Sequence, residues 1–257
     1  MTSQEVRIVD TVAEPAAGIG PAGQMRTSTA ETRTISPTVP ALLAFVAGYV
    51  DSCTFLAFNG LFVAQVTGSF VVAGSELVAD NDGFQIKVLA IPVFFAAGVV
   101  TTIIVTAFGG RDRRALVANL ALEAVLLAGL AWLGASAAST SARTIAALFG
   151  LSAMGIQSAL GRLLLREHAS TNVMTGNTTQ LSIDLTETVL ALRRYPRDRA
   201  PARARLVGLA CIMLGFVGGT AAGGLAYTSL GLNCVAAAVI VVAALAIHAA
   251  RGQSPAR

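Results

Sequence analysis

Six apolar runs, each long enough or nearly long enough to cross a lipid bilayer, leave this chain few ways to fold. They are Ala41–Phe58, Val88–Phe108, Ala115–Leu133, Thr144–Leu165, Leu206–Tyr227 and Leu232–Ala250. A helical crossing takes about 20 apolar residues, and inside a bilayer the backbone must satisfy its own polar groups. Composition bears on the same choice. Hydrophobic residues make up 54% of the 257 positions and charged residues 12%, where an ordinary soluble domain is about 25% charged. That charge is too sparse to cover a globule in water. The chain is therefore expected to be an all-α integral membrane protein whose main partner is the lipid bilayer. The net charge of +4 is read as a topology signal, with no nucleic acid implied.

Two further segments are less regular. Leu61–Ala79 is apolar but interrupted at its centre by Thr67-Gly68-Ser69, and Thr171–Leu192 has a polar start and then carries Asp184 and Glu187. Arginines decide how these segments lie. Clusters follow the second run (Arg111, Arg113, Arg114), precede the fifth (Arg193 to Arg205) and follow the sixth (Arg251, Arg257). The positive-inside rule puts all three in the cytoplasm. If both irregular segments crossed, the strongest cluster would fall outside. If neither crosses, every cluster lies inside, both termini are cytoplasmic, and the loop with Asp80 and Asp82 lies outside. We expect six transmembrane helices plus two interrupted or re-entrant segments, in the inner (plasma) membrane. Residues 1–38 carry mixed charge, Gly, Pro, Ser and Thr with no apolar core of a signal peptide, and are expected to form a disordered cytoplasmic tail.

The chain also resembles itself. Thr67-Gly68-Ser69 returns as Thr175-Gly176-Asn177, 108 residues on, and Asp51-Ser52 returns as Gln157-Ser158, 106 residues on. The two membrane repeats are taken as 39–135 and 144–250. Three crossings in each half turn the second copy upside down, giving a three-plus-three inverted repeat. Interrupted segments at matching places in inverted halves point to a secondary-transporter site. A helix start inside the membrane offers free N–H groups to polar or anionic ligands. Thr67, Gly68, Ser69, Thr175, Gly176, Asn177 and Gln157 are the substrate-binding candidates, facing each other near the midplane.

Ionisable side chains at membrane depth are candidates by default. Asp51 and Glu123 lie near the middle of their runs and are the proton-coupling candidates. Glu76, Asp184 and Glu187 are expected on solvated faces. Arg162 is expected to snorkel to the cytoplasmic surface, with an anion or Asp184 as its other partner. Cys53, Cys211 and Cys234 have no CxxC spacing and read as small core residues. Gly215, Gly219 and Gly223 form a ridge for close helix packing within the chain or in a homo-oligomer. Trp132 fits an interface anchor. No Walker loop, zinc motif or nucleophile–histidine pairing is legible, so neither an enzyme, a metal nor a cofactor is expected.

The stretches Gly48-Tyr49-Val50-Asp51, Gly60 to Ser69, Met154 to Ala159 and Val173 to Asn177 together resemble the YoaK-like family of small bacterial membrane proteins. The resemblance covers about residues 38–250 and implies a multi-pass inner-membrane protein. The family is a domain of unknown function, so it implies no activity and no site residue. From the residues alone we expect a secondary transporter or permease for a small polar, anionic solute. The alternatives are a non-transporting membrane protein that assembles with partners or lipids and, further off, an intramembrane enzyme built around Asp51, Ser52 and Cys53.

Overall fold

The apolar runs become helices separated by short links. The computed structural model describes residues 38–79, 84–110, 112–136, 139–165, 169–171, 173–194 and 199–251, with the side chains of 79 and 191–203 left aside. The helices are α1 (Thr38–Ala57), α2 (Val66–Ala79), α3 (Phe84–Ala107), α4 (Arg113–Ser136), α5 (Thr140–Leu164), α6 (Met174–Arg194), α7 (Arg199–Leu230) and α8 (Val235–Arg251). A 3-10 turn, Gly231–Cys234, joins the last two. Among the described residues there is no strand. The expected tail at 1–38 and the loop with Asp80 and Asp82 fall almost entirely outside the described residues.

Among the described residues, five segments are long and apolar enough to cross a membrane: α1, α3, α4, α5 and Ala204–Arg251, which contains most of α7 and all of α8. Several boundaries differ from the sequence reading. Helix α1 starts before Pro40, which occupies its first turn, where a missing N–H is harmless. Helix α3 starts at Phe84, so Pro92 lies well inside it and not in its first turns. Ser139 caps α5 by accepting the Ala142 N–H at 3.2 Å.

Glycines and a few polar groups set the packing register. Gly215, Gly219 and Gly223 of α7 lie directly on the carbonyls of Ala41, Phe45 and Tyr49 of α1. Four-residue steps on both helices match in the same order, so α1 and α7 run parallel. The ridge is spent inside the chain. Helix α5 runs against α1: Arg143 donates to the Ala57 carbonyl at 2.5 Å and Gln157 to the Leu43 carbonyl at 3.0 Å. Helix α8 runs against α4, with Leu232 packed at Gly134 and Arg113 reaching the His248 carbonyl at 3.4 Å. Short links make α3 and α5 antiparallel to α4. Thus α1, α4 and α7 point one way and α3, α5 and α8 the other. The chain reverses at the 3-10 turn, so Ala204–Arg251 is two antiparallel passes.

Helix α2 has 14 residues, about 21 Å at 1.5 Å per residue, short of the roughly 30 Å of a hydrocarbon core. The break that precedes it is not at Thr67-Gly68-Ser69, as the sequence suggested. Those residues form the first turn of α2. The chain turns back at Asn59 (φ 51°) and Gly60 (φ 89°), bends through Val63, Ala64 and Gln65, and then continues as α2. Gly60 lies against Val72 and Phe62 bonds Ser69, so α2 rises along the strand of chain that led into it. Thr175-Gly176-Asn177 likewise falls in the first turn of α6.

Candidate functional site

Asp51 sits two turns before the end of α1 and is 3% exposed. Its Oδ1 accepts the N–H groups of Val63 at 2.7 Å and Ala64 at 2.6 Å, and its Oδ2 accepts the N–H of Gln65 at 3.2 Å. These donors are the last three residues before α2. A carboxylate on one helix thus closes the start of another, where free N–H groups and the helix dipole favour negative charge. Ser69 staples the same loop, taking the Phe62 N–H at 2.9 Å and giving its hydroxyl to the Phe62 carbonyl at 2.8 Å. Gly68 lies on the Phe62 ring, where a Cβ would come within 3.0 Å. Thr67 is exposed. A cavity of about 300 Å³ opens beside this clasp, lined by Asp51, Ser52, Phe62, Gln65, Phe216 and Thr220 among others.

The second half builds a related cluster with different chemistry. Gln157, fully buried, donates to the Leu43 carbonyl and to Thr171 Oγ1, at 3.0 and 3.5 Å. Asn177 donates to the Ser170 carbonyl at 2.6 Å, as Ser69 does to Phe62, with both partners 108 positions on. Thr175 and Gly176 are exposed. The structure therefore brings Asp51 to the first Thr-Gly step and Gln157 to the loop before the second. It does not pack the two steps together: α2 lies on α3, and α6 lies on α7.

Glu123 is fully buried on α4, and neither of its oxygens has a hydrogen-bond partner among the described residues. One turn earlier Asn119 donates to the Ala115 carbonyl at 2.8 Å, while its Oδ1 is likewise without a partner there. Leu130 of α4 meets Gly150 of α5. Two turns along each antiparallel helix from that contact stand Glu123 and Gln157, so these two candidates share a level.

The solvated reading of two acids is corrected. Glu76 is buried and takes a 2.6 Å salt bridge from Lys87, which is fully buried. Asp184 is 3% exposed and meets Gln180 Nε2 at 2.9 Å and Arg205 at 3.6 Å. Each acid sits on the helix that follows an irregular link, α2 or α6, and each base on the next helix in the chain. Burial is tolerable because each acid finds a cation or an amide. Arg205, not Arg162, is the partner of Asp184. Glu187 is exposed. Sequence reasoning missed Lys87. Part of the signal was present: Glu76 precedes Asp184 by the repeat offset of 108, although Lys87 and Arg205 are 118 positions apart. Cys53 and Cys234 are core residues, but Cys211 is exposed.

An all-helical protein with membrane-length apolar helices is the class this fold defines. Residues 39–248 match the family model described as a protein of unknown function (DUF1275). The chain belongs to that family. No curated protein and no solved structure matches it.

Proposed function

We propose that this protein is a secondary transporter of the inner membrane that moves a small anionic solute together with a proton. The reading takes α1, α3, α4, α5, α7 and α8 as six crossings and the two broken segments, with α2 and α6, as re-entrant elements. Both termini are then cytoplasmic and the halves form an inverted repeat. Opposed helix directions, matched loop staples and buried acids at matching places in the two halves support it. The YoaK-like motif resemblance brings no activity to transfer, and no enzymatic step is assigned.

One observation carries the proposal: the Asp51 carboxylate occupies a ready-made anion seat beside a cavity. Backbone N–H groups at a helix start bind anions, and Asp51 already supplies one. Protonation of Asp51 removes its charge and loosens the clasp, so Val63, Ala64 and Gln65 can turn their N–H groups to an anionic group of the solute. The buried charge stays at one throughout, which avoids the large cost of a second uncompensated ion at membrane depth. Gln157 holds the matching place without a titratable group. Glu123, on α4 of the same repeat as Asp51, is a second proton site at the level of Gln157.

The test is proteoliposomes loaded with a pH-sensitive dye and challenged with a panel of small organic and inorganic anions. Inward movement of at least one anion should acidify the lumen in wild type, and Asp51→Asn should abolish that signal while the protein stays monodisperse. If no anion in the panel moves protons, or if Asp51→Asn matches wild type, the proposal is wrong.

A further inference from the structure

Two of the three cysteines meet across 181 residues of sequence. Cys53 Sγ and Cys234 Sγ are 3.2 Å apart, with Cys53 fully buried and Cys234 2% exposed. Contacts beyond the one between the two sulfurs hold the residues in register. The Tyr49 hydroxyl, one turn before Cys53, donates to the Cys234 carbonyl at 3.0 Å. Gly223 brings α7 against the Tyr49 carbonyl, and Cys53 Sγ lies 3.5 Å from the Gly223 carbonyl. A disulfide bond is about 2.05 Å long, so closing it takes roughly 1 Å of sulfur movement. The third cysteine is elsewhere. Cys211 is exposed on α7, twelve residues before Gly223, or about 18 Å along the helix.

We propose that Cys53 and Cys234 form an intramolecular disulfide in the mature protein, clasping α1 to the 3-10 turn that starts the last pass. This inference does not rest on the transport reading. It uses only the helix packing and the side on which the pair lies. Arg113 and Arg251 mark the opposite end of the bundle, so the positive-inside rule puts Cys53 and Cys234 toward the outer face. Disulfides form and persist in that compartment.

The chemistry is thiol–disulfide exchange with a disulfide-bearing oxidant of the outer compartment. One cysteine, as thiolate, attacks a sulfur of the oxidant. This makes a mixed disulfide and releases the oxidant's other sulfur as a thiol. The second thiolate then attacks the protein sulfur of that mixed disulfide, the internal S–S bond forms, and the oxidant leaves fully reduced. The two thiol protons are released from the cysteines, and two electrons pass to the oxidant. The depth of the pair places this exchange before the turn has packed onto α1.

The experiment counts free thiols on the full-length protein. Membranes are lysed into denaturing detergent with a maleimide–polyethylene glycol reagent, with and without prior reduction, and each label retards the band on a gel. A parallel sample is first treated with the small oxidant diamide. One label before reduction and three after it is the expected result in the untreated sample, the diamide sample marking where the fully bridged protein runs. Cys53→Ser and Cys234→Ser should each take two labels before reduction. Peptide mapping should find Cys53 linked to Cys234. Three labels without reduction in the untreated sample would overturn the proposal, as would a bridge that uses Cys211.

Discussion

Asp51 shows what one side chain does for this fold. Its carboxylate accepts three N–H groups in a buried loop. Asp51→Ala leaves them without that acceptor, and a buried donor left unsatisfied costs about 1–3 kcal/mol. Asp51→Asn keeps one oxygen in place. Thermal denaturation in detergent should therefore rank wild type above Asn and Asn well above Ala. Equal stability of the two variants would mean the clasp holds little. The Glu76–Lys87 pair makes a second case. Removing one partner of a buried ion pair costs about 3–5 kcal/mol, whereas replacing both with apolar residues is often neutral. Lys87→Met alone should be strongly destabilising, and Lys87→Met with Glu76→Leu should recover most of the loss. Additive losses in that double-mutant cycle would show that the two residues do not act as a pair.

At the scale of elements, the α1–α7 contact rests on missing side chains. A Cβ on Gly219 would overlap the Phe45 carbonyl, while a Cβ on the neighbouring Gly218 meets nothing within 4 Å. Gly218→Ala should be neutral or stabilising by up to about 1 kcal/mol, since alanine is the better helix former. Gly219→Ala should lose about 1–3 kcal/mol, the range for overfilling a packed contact. The two variants differ by one position on one helix, so their unfolding midpoints isolate packing from propensity. The same contact bears on association. With Gly215, Gly219 and Gly223 seated on α1, the ridge is not a free face for a second copy of the chain.

For the molecule as a whole, the decisive question is which side each link faces. On a cysteine-free background, Asn59→Cys and Gln85→Cys flank the first break and α2. If that segment enters and returns, an impermeant maleimide added outside intact cells should label both, and Arg114→Cys should be protected. Labelling of only one of the first pair would make the segment a crossing and remove the structural basis of the inverted repeat.

Much of this was legible because lipid is a strict solvent. It demands long apolar helices, and runs of about 20 apolar residues announce them without any tertiary context. The recurrence of Thr67-Gly68-Ser69 as Thr175-Gly176-Asn177 was legible, and so was Asp51 from its depth in an apolar run. What those residues do was not legible. Helical periodicity cannot reveal that the break falls at Asn59–Gln65, because that depends on positive φ values and on a carboxylate 12 to 14 residues away. Glu76 and Asp184 read as solvated because a lone acid near a helix end usually is, and their cations lie on other helices. Cys53 and Cys234 read as unrelated because 181 residues separate them. The sequence by itself determined the helical class of fold and where its membrane-length apolar helices fall, both consequences of local composition and period. Only the tertiary structure decided which buried polar groups pair, since burial is tolerable only where a partner arrives from elsewhere in the chain.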